Sequence, residues 1–555
     1  MTSSAKTTGL RYWMLRVLEE CDNVSTDFSA DPVHDLRVAL RRCRSMADGM
    51  MAMDPDPDWK AMKKAGKRLF QRLGALRDVQ IMMEWIEKLK LAGISASTPR
   101  DETVSGMLRP DLESSSRVSD VPQHPAHALL KILQAREAEQ KHEARAALEE
   151  FDRKQWRQWS RSLPQRAARI RPGSAVFKHL ALERWTAARE LHKVALRNRS
   201  QVVFHILRIG IKRFRYIVEN FLPAEHAAWA NDLKHLQDLL GDVHDLDVLW
   251  ATAQSHHLFA DEASRKAWHE RIIQERTKRI DEYRQKTVGP DSLWNVWRAG
   301  LPQGKQIPEI ATRRMKLWAQ ALDPDFAHSE RVARLSTELY DGLVAAGLFE
   351  ESSGSLSEQN GAAGDARASL YAAALLHDVG KIKGNKGHHK ESLNLIKKHG
   401  TPLGWNEQDM QRAAVVARFH CGALPTRGHR LLSDLLPAEQ KTTIQLAAIL
   451  RLANVLDATH DGHIRKVKIE NAGDQPKSRK QRTNGFVRKP AALARNEALV
   501  IAAEGYANGT STAQIVAAER YLLEIVLRRP IIVRMMMNPR VSHSSRHQRN
   551  IATNS

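Results

Sequence analysis

Apolar residues recur at three- and four-residue spacing from about residue 8 to 90 and again from about 125 to 285, with few β-branched alternations. That period predicts amphipathic helices, and so an all-α region of roughly 285 residues. A Ser/Pro/Asp-rich stretch, ISASTPRDETVSGMLRPDLESSSRVSDVPQHP, separates the two helical runs and reads as a flexible connection. Helical spacing stops over 286–309, where Gly and Pro read as a linker, and resumes over 310–470 with a loop at 351–365. Two strand-like runs follow, VKIEN (467–471) and ALVIAAE (498–504), then a helix from Ser511 to Leu527 and a strand, PIIVRMMM (530–537). The predicted architecture is mainly α, with a small α+β extension over 471–537 and a disordered tail over 538–555.

The pattern repeats. VHDLRVALRRCRSM (33–46) returns as FHILRIGIKRFRYI (204–217), and LFQRLGALRDVQIM (69–82) returns as HLQDLLGDVHDLDV (235–248), in the same order and at nearly the same offset. Duplicated helical bundles are expected, about 8–94 and 125–285.

Charge changes the picture. The chain holds 86 Lys and Arg against 64 Asp and Glu, a net +22 at pH 7. That excess points to an anionic partner. It is concentrated, with 13 basic and 3 acidic residues over 151–200. Residues 477–495 add 7 basic and no acidic side chains in a loop-like segment. No apolar run approaches the roughly 20 residues a membrane span requires. The N-terminus lacks the features of a secretion signal. The cysteines, Cys21, Cys43 and Cys421, form no CxxC and read as reduced cytoplasmic thiols.

His34, Arg37, Arg41 and Arg44 stand at i, i+3, i+7 and i+10, within roughly 80° of helix surface. His205, Arg208, Lys212 and Arg215 repeat the spacing, while Arg42 and Arg213 flank the stripes. A neighbouring helix adds Lys63 and Lys67. Like charges this close repel by a few tenths of a kcal/mol per pair unless an anion offsets them. Guanidinium forks match phosphate oxygens, and a histidine among them adds a donor. Nucleic acid is not expected, because aromatic interleaving is sparse and no helix-turn-helix, RNP or zinc-finger pattern occurs.

These two motifs, H-x-x-R-[VI]-x-x-[RK]-[RK]-x-R and L-G-x-x-[RH]-D, make residues 8–285 resemble the conserved histidine α-helical domain, CHAD. The resemblance implies two four-helix bundles related by a pseudo-twofold axis and a basic pore that binds inorganic polyphosphate. His34, Arg37, Arg41, Arg42, Arg44, His205, Arg208, Lys212, Arg213 and Arg215 become the implied anion contacts. His244 replaces Arg77 of the first copy.

A second constellation lies beyond residue 310. YAAALLHDVGKIKGNKGHHK (371–390) runs an apolar helix into His377 and Asp378, and then into His388 and His389. His328, His420 and Asp457 recur at the ends of other apolar helical patterns. Neutral imidazoles and carboxylates at helix ends can share a divalent cation when folding gathers them. The ordered series resembles the HD phosphohydrolase superfamily. HSERVA, LLHDVGK, HHKESLNLI, ARFH and LRLANVLD resemble the C-terminal part of exopolyphosphatase/guanosine pentaphosphate phosphohydrolase proteins. The resemblance implies His328, His377, Asp378 and Asp457 as metal ligands, with His389 and His420 as further ligands or phosphate contacts. It leaves Mn, Mg or Fe open as the metal. Lys381, with Lys386 and Lys390, would hold substrate phosphate, and His377, Asp378 and Lys381 form the implied catalytic set. Those proteins carry an actin-like pair ahead of this part. Here a CHAD-like region stands in its place, so the HD site must do any chemistry itself.

The expectation is a cytoplasmic, polyphosphate-binding, metal-dependent phosphohydrolase, associated with polyphosphate granules and not with membranes. Two rivals stand beside it: a non-catalytic polyphosphate-binding protein, and an HD hydrolase of guanosine tetraphosphate-type nucleotides. Oligomeric state is left open.

Overall fold

A computed structural model describes residues 9–93, 124–198, 200–349, 365–433, 435–470 and 498–536. The 94–123 connection, the 351–364 loop, the basic 477–495 segment and the 538–555 tail lie outside the described residues. The chain divides into two compact units, Met1–Ile310 and Ala311–Ser555. No helix among the described residues is long and apolar enough to cross a membrane.

The first unit runs through α1 (Leu10–Thr26), α2 (Ala30–Met50), α3 (Pro57–Lys88), α4 (Pro125–Glu149), α5 (Arg153–Ala167), α6 (Ala175–Arg197), α7 (Gln201–Phe221), α8 (Pro223–Ser255), α9 (Glu262–Thr287) and α10 (Leu293–Ala299). Side-chain caps set several starts. Asp56 accepts from the Asp58 amide with Pro57 at the first helical position of α3, and Asp261 accepts from the Ser264 amide at α9.

In the first repeat α2 packs between α1 and α3, and α3 packs on α4; α5 closes on α1. In the second, α6 to α9 pack in succession. The repeat boundary therefore falls near α6. The 125–149 helix expected in the second copy belongs to the first, because the compositional break at 94–123 interrupts the first bundle between its third and fourth helices. The copies meet through α2 on α7 and α3 on α8. One apolar cluster draws Met82 and Trp85 from α3, Leu129 from α4, Leu249 from α8 and Trp268 from α9, so the two bundles share a core.

The expected 286–309 linker is not a plain linker. It holds α10, whose Trp294 and Trp297 are fully buried and pack edge to face, with the helix against α6 and α9. Burying two indoles outweighs the flanking Gly and Pro that marked the stretch as a break.

The second unit comprises α11 (Gln306–Leu322), which crosses the division, α12 (Phe326–Ala345), α13 (Ala366–Leu376), α14 (His388–His399), α15 (Glu407–Arg418), α16 (Arg430–Ser433), α17 (Pro437–Leu456), β1 (Lys466–Glu470), β2 (Leu499–Glu504), α18 (Ser511–Glu519), α19 (Tyr521–Leu527) and β3 (Ile531–Met535). The sheet order is β1-β2-β3: β1 runs antiparallel to β2 (Lys466 opposite Glu504) and β2 parallel to β3 (Leu499 opposite Ile531). A parallel pair requires a crossover, which α18 and α19 supply while covering α17. Gly342 on α12 admits β1, since a Cβ there would stand 2.6 Å from Ile469 Cγ1. Leu335, Leu450, Ile501 and Val533 belong to one core, so the α+β segment is part of the same packed body as the helices and its sheet begins at Lys466.

Candidate metal centre and anion-binding seam

In the first unit the two basic stripes face each other where α2 packs on α7. Burial, reinforced by the positive field of Arg208, Arg41 and Arg37, pushes the Lys212 ammonium down to about 8. Lys212 and Arg208 come from the second copy, Arg37 and Arg41 from the first, so the copies build one cationic seam. Arg37 is depressed by burial despite the Asp78 carboxylate, and burial with Arg41 and Arg77 lowers His34. Arg37 Nη1 and Arg208 Nε are buried with no hydrogen-bond partner. Orphaned guanidinium nitrogens among other cations are what an anion would satisfy. Arg41 lies over the Tyr216 ring at 5.9 Å.

Several other expected anion contacts are occupied. Arg42 is ion-paired with Glu219 and donates to the Asn220 amide oxygen at 3.3 Å. Arg44 donates to the Lys63 carbonyl at 2.7 Å, Lys63 is paired with Asp48, and Arg215 stands 3.6 Å from Glu219. Lys67 and Arg213 are exposed. His205 faces His244 with 3.3 Å between their Nδ1 atoms; burial and Arg208 push His244 down to about 4. Asp245 is raised to about 6 by burial, against the pull of Arg208.

In the second unit each ligand-type residue sits at one end of a helix, either where it stops or in its first turn. His377 and Asp378 follow α13, His420 follows α15, Asp457 caps α17, and His388 opens α14 behind Gly387, which is left-handed at φ 75°. Two contacts pin these turns. Ser392 Oγ donates to the His377 carbonyl at 2.6 Å and accepts from the Gly380 amide at 2.9 Å. A Cβ at Gly380 would come within 2.1 Å of the His388 carbonyl oxygen, so only glycine lets this turn lie on α14. Buried Arg451 donates to the carbonyls of Phe419 at 3.1 Å and Gly422 at 3.2 Å, fixing the turn that carries His420 and Cys421.

Three imidazoles converge on Asp378. His377 Nε2 lies 3.4 Å from Oδ2, and His388 Nε2 and His420 Nε2 lie 3.2 and 3.6 Å from Oδ1. Each ring is oriented from behind, its Nδ1–H donating to the carbonyl of Ala374 (2.7 Å), Asn385 (2.8 Å) or Ala417 (2.7 Å). That anchoring turns Nε2 of each ring toward the carboxylate as its ligand atom, with His388 Nε2 3.0 Å from His420 Nε2. His377 Nε2 is buried and unpartnered. Burial alone would raise the Asp378 carboxyl. The charges around it, from His377, the His388 hydrogen bond, His420 and Lys381, win and hold it well below the usual range. His388 is raised to about 10 by Asp378, whereas burial lowers His377 and His420. Lys381 Nζ stands 2.5 Å from Asp378 Oδ2.

The structure thus brings His388 to Asp378, where the expected ligand was His389; His389 Nδ1 lies 3.5 Å from Cys421 Sγ instead. Of the other expected ligands, His328, His377 and Asp378 bring their donor atoms within 4.8 Å of one another, and Asp457 adjoins them through His328. Asp457 Oδ2 accepts from His328 Nδ1 at 2.8 Å, and both Asp457 oxygens accept from Arg331 Nε at 3.0 and 2.9 Å. His328 Nε2 is 2.9 Å from the Asn454 amide oxygen, and its ring stacks on His460 at 3.9 Å. Arg331, Asn454 and His460 escaped the sequence reading, and Cys421 was read there only as a free thiol; Asp457 and His460 lie in the turn beyond α17, where helical spacing carries no signal. A cleft of about 200 Å³ is lined by His328, Asp378, Lys381, His388, His420 and His460, with Cys421 and Asn454 also on its wall. An orphaned buried imidazole nitrogen beside a carboxylate and two further anchored imidazoles fits a divalent cation.

A comparison with curated proteins finds no match. Family models do match: residues 14–254 fit the CHAD domain and residues 311–498 fit Ppx/GppA phosphatase, domain III. The chain is therefore a fusion of a CHAD domain with a C-terminal Ppx/GppA phosphatase domain III.

Proposed function

We propose that the chain captures inorganic polyphosphate on the α2–α7 seam and hydrolyses it at a cation centre on Asp378, His377, His388 and His420. The observation that carries the reading is the convergence of three carbonyl-anchored imidazoles on one carboxylate, with His377 Nε2 buried and unpartnered. A divalent cation bound there would polarise a phosphoryl oxygen and lower the pKa of a water. An imidazole-rich donor set favours Fe or Mn over Mg, which prefers oxygen ligands. Lys381, at the cleft wall, places an ammonium against substrate phosphate. His328 is held in orientation by Asp457, and Asp457 by Arg331.

The cleft favours a phosphate chain through the chemistry of its wall, where Lys381 and the imidazoles of His328, His388, His420 and His460 offer donors to phosphate oxygens. All three cysteines are free, which supports residence in the reducing cytoplasm, with polyphosphate granules as a natural location. The test is phosphate release by the purified chain from polyphosphate, guanosine tetraphosphate and a generic phosphodiester, each with Mn²⁺, Fe²⁺ or Mg²⁺, repeated with Asp378→Asn. Release from polyphosphate that Asp378→Asn abolishes supports the reading. Polyphosphate binding without release under any cation makes the chain a non-catalytic binder, and release from the nucleotide alone makes it a nucleotide hydrolase.

A further inference from the structure

We propose that Cys421, His389 and His388 form a thiolate-bearing cation subsite beside the Asp378 centre, suited to a soft divalent ion such as Zn²⁺. It shares His388 with that centre and rests on its own donor geometry, not on hydrolysis taking place. The three donor atoms lie within 4.8 Å of one another. Cys421 Sγ stands 3.5 Å from His389 Nδ1 and 3.8 Å from His388 Nε2. A tetrahedral zinc with sulfur and nitrogen at their usual bond lengths has an S···N edge of about 3.6 Å. Both separations are edges of such a tetrahedron.

The donors are held in place before any ion arrives. His388 donates its Nδ1–H to the Asn385 carbonyl, which leaves Nε2 as the ligand atom. Cys421 sits on the turn that Arg451 grips through the carbonyls of Phe419 and Gly422. Gly422 follows in a left-handed conformation at φ 71° that a side chain rarely adopts, and it packs beside the His389 ring. His388 and His389 are consecutive on the first turn of α14, about 100° apart. Cys421 is partly exposed, so a water or a phosphate oxygen can complete the shell.

One nitrogen serves one ion. When His388 joins Cys421 and His389, the Asp378 centre retains His377 and His420, with His328 adjacent. The chain then offers two neighbouring positions of different softness: an imidazole-carboxylate one, and a thiolate one that Mg²⁺ and Mn²⁺ do not favour.

The test is a Co²⁺ and Zn²⁺ titration of the metal-free full chain, with ions counted by mass spectrometry. The wild type is expected to bind about two Zn²⁺ per chain and to show a thiolate-to-Co²⁺ charge-transfer band in the near ultraviolet. Cys421→Ser and Cys421→Ala should each lose that band and about one ion per chain while keeping the other. Asp378→Asn should keep the band. A wild-type Co²⁺ spectrum without the band, or an unchanged ion count in both cysteine variants, overturns the subsite. Phosphate release is measured separately, so a failed subsite and a failed hydrolase are told apart.

Discussion

The guanidinium of Arg37 rests directly against the bare backbone of Gly74: a Cβ built on Gly74 would stand 3.0 Å from Arg37 Nη1. The second copy repeats the arrangement more loosely, with Arg208 Nε 3.9 Å from the corresponding point on Gly241. The glycine of each L-G-x-x-[RH]-D motif thus clears space for the arginine of the facing H-x-x-R motif. Gly74→Ala should displace Arg37 and weaken polyphosphate binding about tenfold, about 1.4 kcal/mol, with little change in Tm, since the helix gains propensity as the seam loses a donor. Gly241→Ala should do less. Calorimetry on the two variants checks the order; equal effects would remove Arg37 from the binding set.

Lys212 links pH to both binding and stability. Its pKa falls from 10.5 to about 8 in the folded chain, so between those values the unfolded chain binds the extra proton. Stability of the ligand-free protein should therefore rise with pH across that window, and the cost of keeping the lysine charged below pH 8 is on the order of 3 kcal/mol. Polyphosphate reverses the sign of the local field. Its affinity should fall as pH climbs through 8, because binding then takes up a proton. Lys212→Met should raise Tm, weaken binding and flatten the pH profile above 7. Thermal melts and affinities at several pH values decide it, and a variant less stable than wild type would contradict the argument.

Adjacent arginines on α2 have different work. Arg41 faces Tyr216 and the seam, whereas Arg42 is locked to Glu219 and Asn220. Arg41→Ala should cut polyphosphate affinity with stability preserved. Arg42→Ala should leave Glu219 half-buried and without its main partner and destabilise by about 1–3 kcal/mol, with affinity nearly unchanged. Denaturant melts paired with binding titrations separate the two effects.

The duplicated motif, the stripe spacing and the apolar helix ending in His377-Asp378 were legible because period and repetition are properties of the sequence alone. What stayed hidden was phase. His388 and His389 are neighbours in the chain, and which of them meets Asp378 depends on how the left-handed Gly387 starts α14. Arg41 and Arg42 differ in the same way. The α10 helix was masked by Gly and Pro, although Trp294 and Trp297 at i, i+3 carried its signal. The first bundle's fourth helix was misassigned because a long insertion looks like a boundary until α4 is seen packed on α3.

Asp457 offers a direct check on the placement of ligands. Its carboxylate is engaged by His328 and Arg331, and in the reading proposed above it acts as a positioning residue. Asp457→Asn should lower kcat by about 10–100-fold, the usual cost of losing such a partner, while the number of bound ions stays constant. Loss of an ion in this variant would return Asp457 to the ligand set that the sequence suggested. Arg331→Met should produce a milder version of the same change.

Capture and hydrolysis on one chain should leave a signature in chain-length dependence. Under the proposed function, polyphosphate bound at the seam would be tethered to the same chain as the cation centre, an advantage in effective concentration that grows with the length of the bound chain. In the full chain, Arg37→Ala combined with Arg208→Ala should therefore reduce kcat/KM on long polyphosphate far more than on tripolyphosphate. Turnover at saturating substrate should change little, because neither arginine belongs to the Asp378 centre. High salt should mimic the double variant on long chains, since the seam acts through charge. An equal loss on both substrates, or none, would show that the two parts of the chain do not share a substrate.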